Sequence, residues 1–467
     1  MADAWASAAR PRPFAFSAPP RERRPQPLVQ WFVVFLLLCQ VTLLVPGIGG
    51  ARVMVRMAAF GVSLLLLALV RGKAPRHPAY VLTCVTIMVL AVALANPDTT
   101  NLVAGGAQAA LYVAVLAPVF WASRISPDTK ALSQAVMILW AFHTVSAALG
   151  IVQVYLPGSF QPPVSSIILS KGPGYINSLM ITTANGVKVF RPMGLTDIPG
   201  GASVSGLYAV LFGTGFFLTR RDPWTLGLSV LSMGIGIACL SLSQVRSVLL
   251  MTGIAVAVVA GVLAWRRDFI RLGLVGATAA VTAVAGYGVA HSLAGAAVQR
   301  RMNSLSSASP GRVYYRERGH FFTDAVTKLL PEAPLGRGLG HWGMTATYFG
   351  GGDDPHGVWV EIQWAGWIVD GGAPLTLVYA LTLLVAIGAA FGVARSRAPP
   401  GAPDLPFWAV IVFAHGIGTL AFTFSFPVFL SQPGMEFWLL NATLLAAAAR
   451  ARRRPPASAA AAAERPA

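Results

Sequence analysis

The feature that most limits what this chain can fold into is a succession of apolar stretches running from residue 28 to residue 449. A helix needs about 20 mostly apolar residues to cross a bilayer. Segments of that kind fall near 28–45, 51–70, 79–96, 104–122, 131–156, 201–219, 223–242, 246–265, 271–290, 371–394, 405–428 and 433–449. Charged residues make up only 11% of the chain and the mean hydropathy is +0.64, whereas a soluble domain averages about 25% charged. The expectation is an all-α polytopic membrane protein with about twelve transmembrane helices, not a series of soluble domains.

The net charge of +18 is informative through its distribution, and no nucleic-acid partner is read from it. Lys and Arg favour cytoplasmic loops. The N-terminal tail holds Arg10, Arg12, Arg21, Arg23 and Arg24, and every second joint after it is basic: Arg71/Lys73/Arg76, Arg124/Lys130, Arg220/Arg221, Arg266/Arg267/Arg271, Arg395/Arg397 and Arg450 to Arg454. The intervening short joints are nearly free of positive charge. Both termini are therefore expected in the cytoplasm, which requires an even number of spans. The chain then divides into a disordered cytoplasmic tail (1–27), helices 1–5 (28–156), a periplasmic loop (157–200), helices 6–9 (201–290), a large periplasmic loop (291–370), helices 10–12 (371–449) and a second disordered tail (450–467). Residues 1–27 contain no apolar core of their own and do not read as a cleavable signal.

The two long loops carry positive charge on the side where the orientation rule does not ask for it: Lys171, Lys188 and Arg191 in the first, and Arg300, Arg301, Arg312, Arg316, Arg318, Lys328 and Arg337 in the second. Long loops are exempt from that rule, so a solvated surface accounts for most of these. A cationic site for a phosphate-bearing ligand is the sharper reading, because Arg forks match phosphate oxygens in pairs. Arg246 stands out in 241-SLSQVRS-247, at the outer end of a span, where it either snorkels to the interface or lines a polar cavity. Arg191 opens 191-RPMGLTDIPGG-201, whose prolines and glycines give an irregular approach to the next span.

The most polar stretch, 334-PLGRGLGHWGMTATYFGGGDDPHGVWVEIQWAGWIVDGG-372, contains His341 and His356. His356 follows Asp353 and Asp354 and precedes a segment with Glu361, Asp370 and three tryptophans, the composition of an interfacial helix. A carboxylate beside an imidazole fixes its tautomer and raises its basicity, as a general base requires. Asp354, Glu361 and Asp370 are the candidate supports, and His341 ranks below His356. There is no P-loop, no HExxH and no paired-cysteine metal motif. Asp353 and Asp354 form a weak candidate for a cation, and Cys39, Cys84 and Cys239 all lie in apolar runs.

Taken together, RPMGLTDIP with Arg191, SLSQVRS with Arg246, GRVYYRERGHFFTDAVTKLLPEAPLGRGLGHWG from Gly311 to Gly343, and PHGVWVE with His356 resemble the O-antigen ligase and O-antigen polymerase family of bacterial inner-membrane glycosyltransferases. The likeness spans about residues 185–395. It departs from the family where Gly357 follows the histidine in place of Asn, where Val245 precedes the arginine in place of Ser, and where the acid-Gly pair comes late, at Asp370-Gly371. The resemblance implies a GT-C-like fold in the inner membrane with its active site facing the periplasm. It implies an inverting transfer of a glycan from undecaprenyl diphosphate to a sugar hydroxyl, without metal or other cofactor. Arg191, Arg246 and Arg312 would hold the diphosphate and His356 would take the hydroxyl proton. The acceptor is a second lipid-linked glycan in a polymerase, which works with a chain-length regulator, or lipid A–core in a ligase. Both stay open, with the departures tilting toward a polymerase. A flippase for lipid-linked glycans is the alternative; it would place cationic residues at mid-membrane depth.

Overall fold

A computed structural model describes residues 27–45, 47–48, 51–72, 76–164, 169, 172–183, 185–306, 310–349 and 360–453. Each of the twelve apolar segments coincides with a helix: α1 (Leu28–Thr42), α2 (Ala51–Leu69), α3 (Tyr80–Leu94), α4 (Leu102–Ile125, with a break at Ala117), α5 (Thr129–Tyr155), α6 (Ala202–Thr219), α7 (Pro223–Ser243), α8 (Arg246–Trp265), α9 (Phe269–Ser306), α10 (Gln363–Ala394), α11 (Leu405–Phe422) and α12 (Gln432–Arg453). Among the described residues nine helices, α2 and α4 to α11, are long and apolar enough to cross a membrane. Helices α1 and α3 are apolar but shorter, at 15 residues each. The only strands described are β1 (Met180–Thr182) and β2 (Lys188–Phe190), an antiparallel pair with Ile181 opposite Val189.

The composition of α12 follows from its position. It packs against α4, α5, α10 and α11, and from Gly434 to Leu444 every residue is buried. A helix that faces protein rather than lipid tolerates Glu436 and Asn441, and Asn441 is held by a hydrogen bond to Ala386 O (3.1 Å) and a contact with His77 Nε2 (2.9 Å). Helices α6 and α11 are also deeply buried, whereas α2 and α9 are the most exposed of the nine. Glycines bring α6 and α7 together: a Cβ on Gly236 would lie 2.6 Å from Gly206 O, and one on Gly213 would lie 2.6 Å from Ser232 Oγ. Small residues spaced by whole turns are what lets two membrane helices approach at backbone distance.

Two expected boundaries move. Helix α9 runs past 290 to Ser306 because its extension is rich in good helix formers, with one departure at Gly295, where φ is 43°. Helix α10 starts at Gln363 rather than 371 and breaks at Gly371–Gly372, where Gly372 has φ 60°. The segment expected to lie at the interface is therefore the first part of a buried helix. Trp367 is 0% exposed, with its ring 4.7 Å from that of Tyr379, and Trp364 donates to Thr423 Oγ1 (2.9 Å).

The bundle has two chemically distinct ends. At one, arginines close helix C-termini: Arg124 donates to Val70 O (3.0 Å), Arg266 to Ala394 O (3.1 Å) and Arg450 to Ser126 O (3.1 Å). Cations there complement the helix dipoles. The long connections gather at the other end. Asn96 donates to Gly336 O (3.0 Å), Asn101 to Phe349 O (2.9 Å), and Arg52 pairs with Asp197.

Candidate functional site

The site is built from two loops at the end opposite the basic one. In the first, strand β2 leads into Arg191, whose N–H extends the ladder to Leu179 O (3.0 Å). The chain then turns back on itself, with Gly200 N–H and Ala202 N–H both reaching Pro192 O. Helix α5 pins the turn: Gln153 Oε1 accepts from Met193 N–H and Gly194 N–H, and Ser146 Oγ accepts from Leu195 N–H. Gly194 has φ 63°, and a Cβ there would meet Ser146 O at 2.5 Å, so only glycine suits that position. Asp197, 4% exposed, is clamped by Arg52 (3.2 Å) and by Arg56 of α2. The backbone that presents Arg191 is thus fixed on both sides.

Arg246 is presented by a two-residue joint between α7 and α8. Gln244 adopts the left-handed conformation (φ 54°), Val245 is extended, and Arg246 is the first residue of the 20-residue helix α8. Val245 supplies no side-chain cap. The first turn of α8 therefore directs amide N–H groups and the positive end of the helix dipole toward the loop. Val245 and Arg191 meet over Gly200: a Cβ built on that glycine would stand 3.5 Å from Val245 Cγ2 and 3.7 Å from Arg191 Cδ. Arg191 is in this way brought beside the joint that presents Arg246, 55 positions further on in the sequence.

The second loop contributes Glu317, whose Oε1 is 3.8 Å from Arg246 Nη1 and 4.0 Å from Arg316 Nη2. Burial pushes the Arg191 guanidinium pKa down from its ordinary value, and the charges of Glu317 and Tyr175 act against that shift. The Nε of Arg191 is buried and has no hydrogen-bond partner among the described residues. Two partly buried guanidiniums next to a helix N-terminus can take up the oxygens of a phosphate or diphosphate through charge-assisted hydrogen bonds.

The other expected residues lie elsewhere. Arg312 is exposed, on the Pro310–Tyr314 turn. Glu361 pairs with Arg318. Asp370 is fully buried and accepts from Gln108 Nε2 (2.9 and 3.0 Å), Tyr112 Oη (2.7 Å) and Trp342 Nε1 (2.7 Å). Gln108 Oε1 in turn accepts from Gly340 N–H (2.7 Å), so this network anchors the 336–343 run against α4. His341 is 4% exposed within that run. His356, Asp353 and Asp354 fall outside the described residues.

Sequence reading passed over Arg52, Arg56 and Asp197. The available signal was a pair of arginines four apart in the first turns of an apolar helix, which is one helix face. It also missed a buried polar chain. Tyr208 Oη lies 3.1 Å from His415 Nε2 and near the Glu436 carboxylate, and His143 Nδ1 lies 3.0 Å from Ser205 Oγ, which donates to Ser146 Oγ (2.9 Å). Among the described residues no group of three His, Cys, Asp or Glu side chains is arranged to hold a metal ion. The chain matches no protein-family model and no curated protein.

Proposed function

We propose that this protein is a membrane glycosyltransferase that moves or polymerises a glycan carried on undecaprenyl diphosphate, acting at the loop end of the bundle on the periplasmic face of the inner membrane. The observation that carries this reading is that Arg191 meets Val245, the residue before Arg246, over Gly200 at the N-terminus of α8, and that Glu317 acts on both arginines. An anion-binding arrangement at the membrane surface suits a lipid-linked diphosphate: the headgroup reaches the arginines while the tail stays in lipid.

In the reaction, the acceptor hydroxyl attacks the anomeric carbon as the bond from that carbon to the diphosphate oxygen breaks. Undecaprenyl diphosphate departs with the bonding electrons. Arg191 and Arg246 stabilise the charge that grows on it, a role that matters most where water is scarce. His356 is assigned the hydroxyl proton, on the face of the sugar opposite the leaving group, so the configuration inverts. Glu361 and Asp370, already engaged with Arg318 and with Gln108, Tyr112 and Trp342, serve in this scheme to hold the loop.

A flippase remains the second reading, and the buried Tyr208–His415–Glu436 group is what favours it, since polar residues inside membrane helices often line transport paths. That group contains no arginine or lysine, however, and a carrier of diphosphates would want cations at that depth. Purified protein incubated with a lipid-linked glycan separates the two readings, because only a transferase liberates undecaprenyl diphosphate. Arg246→Ala and His356→Ala are each expected to lower that release by ~10² at unchanged membrane abundance. Near-normal release by both variants would refute the catalytic reading.

A further inference from the structure

The carboxylates at the loop end are shared out unevenly. Asp197 serves Arg52 and Arg56, Glu361 serves Arg318, Asp324 serves Lys328 at 2.8 Å, and Glu332 serves Arg337 at 3.1 Å. Among the described carboxylates Glu317 is the one that faces Arg246, and it does so at 3.8 Å, a separation at which charges attract but no hydrogen bond forms. Its side chain is 49% exposed, against 21% for Arg246. This carboxylate therefore lies over the arginine from the solvent side.

The segment that bears Glu317 is built unevenly too. Residues 310–332 form a helical run interrupted by two π-turns, Tyr315–Gly319 and Ala325–Leu329. Such turns are widened and less regular than α-helix and often mark functional positions. The later part of the run is packed: Phe321, Phe322, Leu329 and Leu330 lie against the cluster of Ala325, Ile362, Ala365 and Ile368. The earlier part, with Arg312 and Tyr314 to Glu317, is exposed. It is tied down by a bond from Tyr314 Oη to Phe424 O (3.1 Å) and, just beyond, by the Arg318–Glu361 pair. One half of the run is a fixed base and the other half has few attachments.

We infer that the Glu317 carboxylate is the resident anion of the arginine site, and that a diphosphate-bearing ligand binds by displacing it together with the exposed half of the 310–332 run. The inference rests on the proposed function for the identity of the ligand, and adds how the site opens and resets. A diphosphate and a carboxylate repel each other, so they do not share Arg191 and Arg246 without cost. With Glu317 in place the two cations are partly neutralised and stay solvated; with it displaced both face the ligand. Its return to Arg246 after the sugar has been transferred competes with the spent diphosphate and speeds release. A carboxylate with a purely structural role would instead hold the loop against the bundle, and its loss would weaken binding.

The test uses the full chain in lipid nanodiscs, with farnesyl diphosphate and inorganic pyrophosphate as probes and binding followed by thermal stabilisation. If Glu317 keeps about nine sites in ten closed, Glu317→Gln tightens farnesyl diphosphate binding about tenfold. Glu317→Asp stays near wild type. Glu332→Gln, which removes the same charge elsewhere at this end, changes affinity less than about twofold. In the wild-type protein, hydrogen exchange over 310–319 accelerates when farnesyl diphosphate is added, and in Glu317→Gln it is already fast without it. With lipid-linked glycan as substrate, Glu317→Gln lowers KM and kcat together. Unchanged or weaker binding by Glu317→Gln, or equal tightening by Glu332→Gln, overturns the inference. If wild type binds and Arg246→Ala does not, that failure leaves the proposed function standing. If no variant binds either probe, both fall.

Discussion

At the scale of single residues, Asp370 shows how far a side chain's role depends on partners that sequence spacing does not reveal. Its two oxygens receive Gln108, Tyr112 and Trp342, from α4 and from the 336–343 run. Replacing it with Asn keeps the shape but points an amide donor at groups that are themselves donors. Leaving such buried groups unsatisfied costs about 1–3 kcal/mol. Asp370→Asn is therefore expected to lower the unfolding midpoint in detergent and to speed amide exchange at Gly340, whose N–H bonds Gln108. If exchange there is unchanged, the network is not what holds the run. Arg191 and Arg246 stood out in the sequence, the one at the start of an irregular approach to a span and the other at a span's outer end. Their neighbours did not: Glu317 lies 71 positions from Arg246, and Asp197 lies 145 from Arg52. No periodicity links residues that far apart.

At the scale of elements, hydropathy alone located α1 to α12, nine of which among the described residues are long and apolar enough to cross a membrane. It misjudged where α9 ends and α10 begins because both boundaries are set by tertiary contacts. The charge of Asp370 made the start of α10 look like a surface segment, and its three donors are what admit it to the interior. The close approach of α6 and α7 was equally hidden, because the glycines that permit it are scattered among the 47 in the chain. A methyl group on Gly236 would lie 2.6 Å from Gly206 O and 2.8 Å from Val210 Cγ2. Gly236→Ala must part the two helices, at an expected cost of about 1–3 kcal/mol. Gly253, in α8, has nothing within 4 Å of a Cβ, so Gly253→Ala is expected to be neutral or slightly stabilising through helix propensity. Equal midpoints for the two variants would show that α6–α7 packing tolerates the separation. Because the α7–α8 joint presents Arg246, Gly236→Ala is also expected to reduce activity.

At the scale of the whole molecule, the arrangement of ends decides whether the site faces the compartment its chemistry requires. The charge alternation leads one to expect the basic end in the cytoplasm, and Arg191, Arg246 and Glu317 lie at the other end. Helix α3, like α1, is short for a span, since 15 residues reach only about 22 Å against a hydrocarbon core of about 30 Å. Its flanks extend its reach: His77 is held by Asn441 next to the basic end and Asn96 by Gly336 at the loop end. With Cys39, Cys84 and Cys239 replaced by Ala, single cysteines report the topology directly. Leu335 and Leu102 are 68% and 70% exposed at the loop end, and Trp224 is 83% exposed at the start of α7. In intact cells with a permeable outer membrane, a membrane-impermeant maleimide is expected to label Leu335→Cys and Leu102→Cys. Trp224→Cys is expected to react only after the inner membrane is opened. Labelling of Trp224→Cys from outside would put the arginines in the cytoplasm, where the proposed glycan transfer would have to be abandoned. Labelling of Leu335→Cys but not Leu102→Cys would instead single out the path of α3, since both positions are tied to the same end through Asn96 and Asn101.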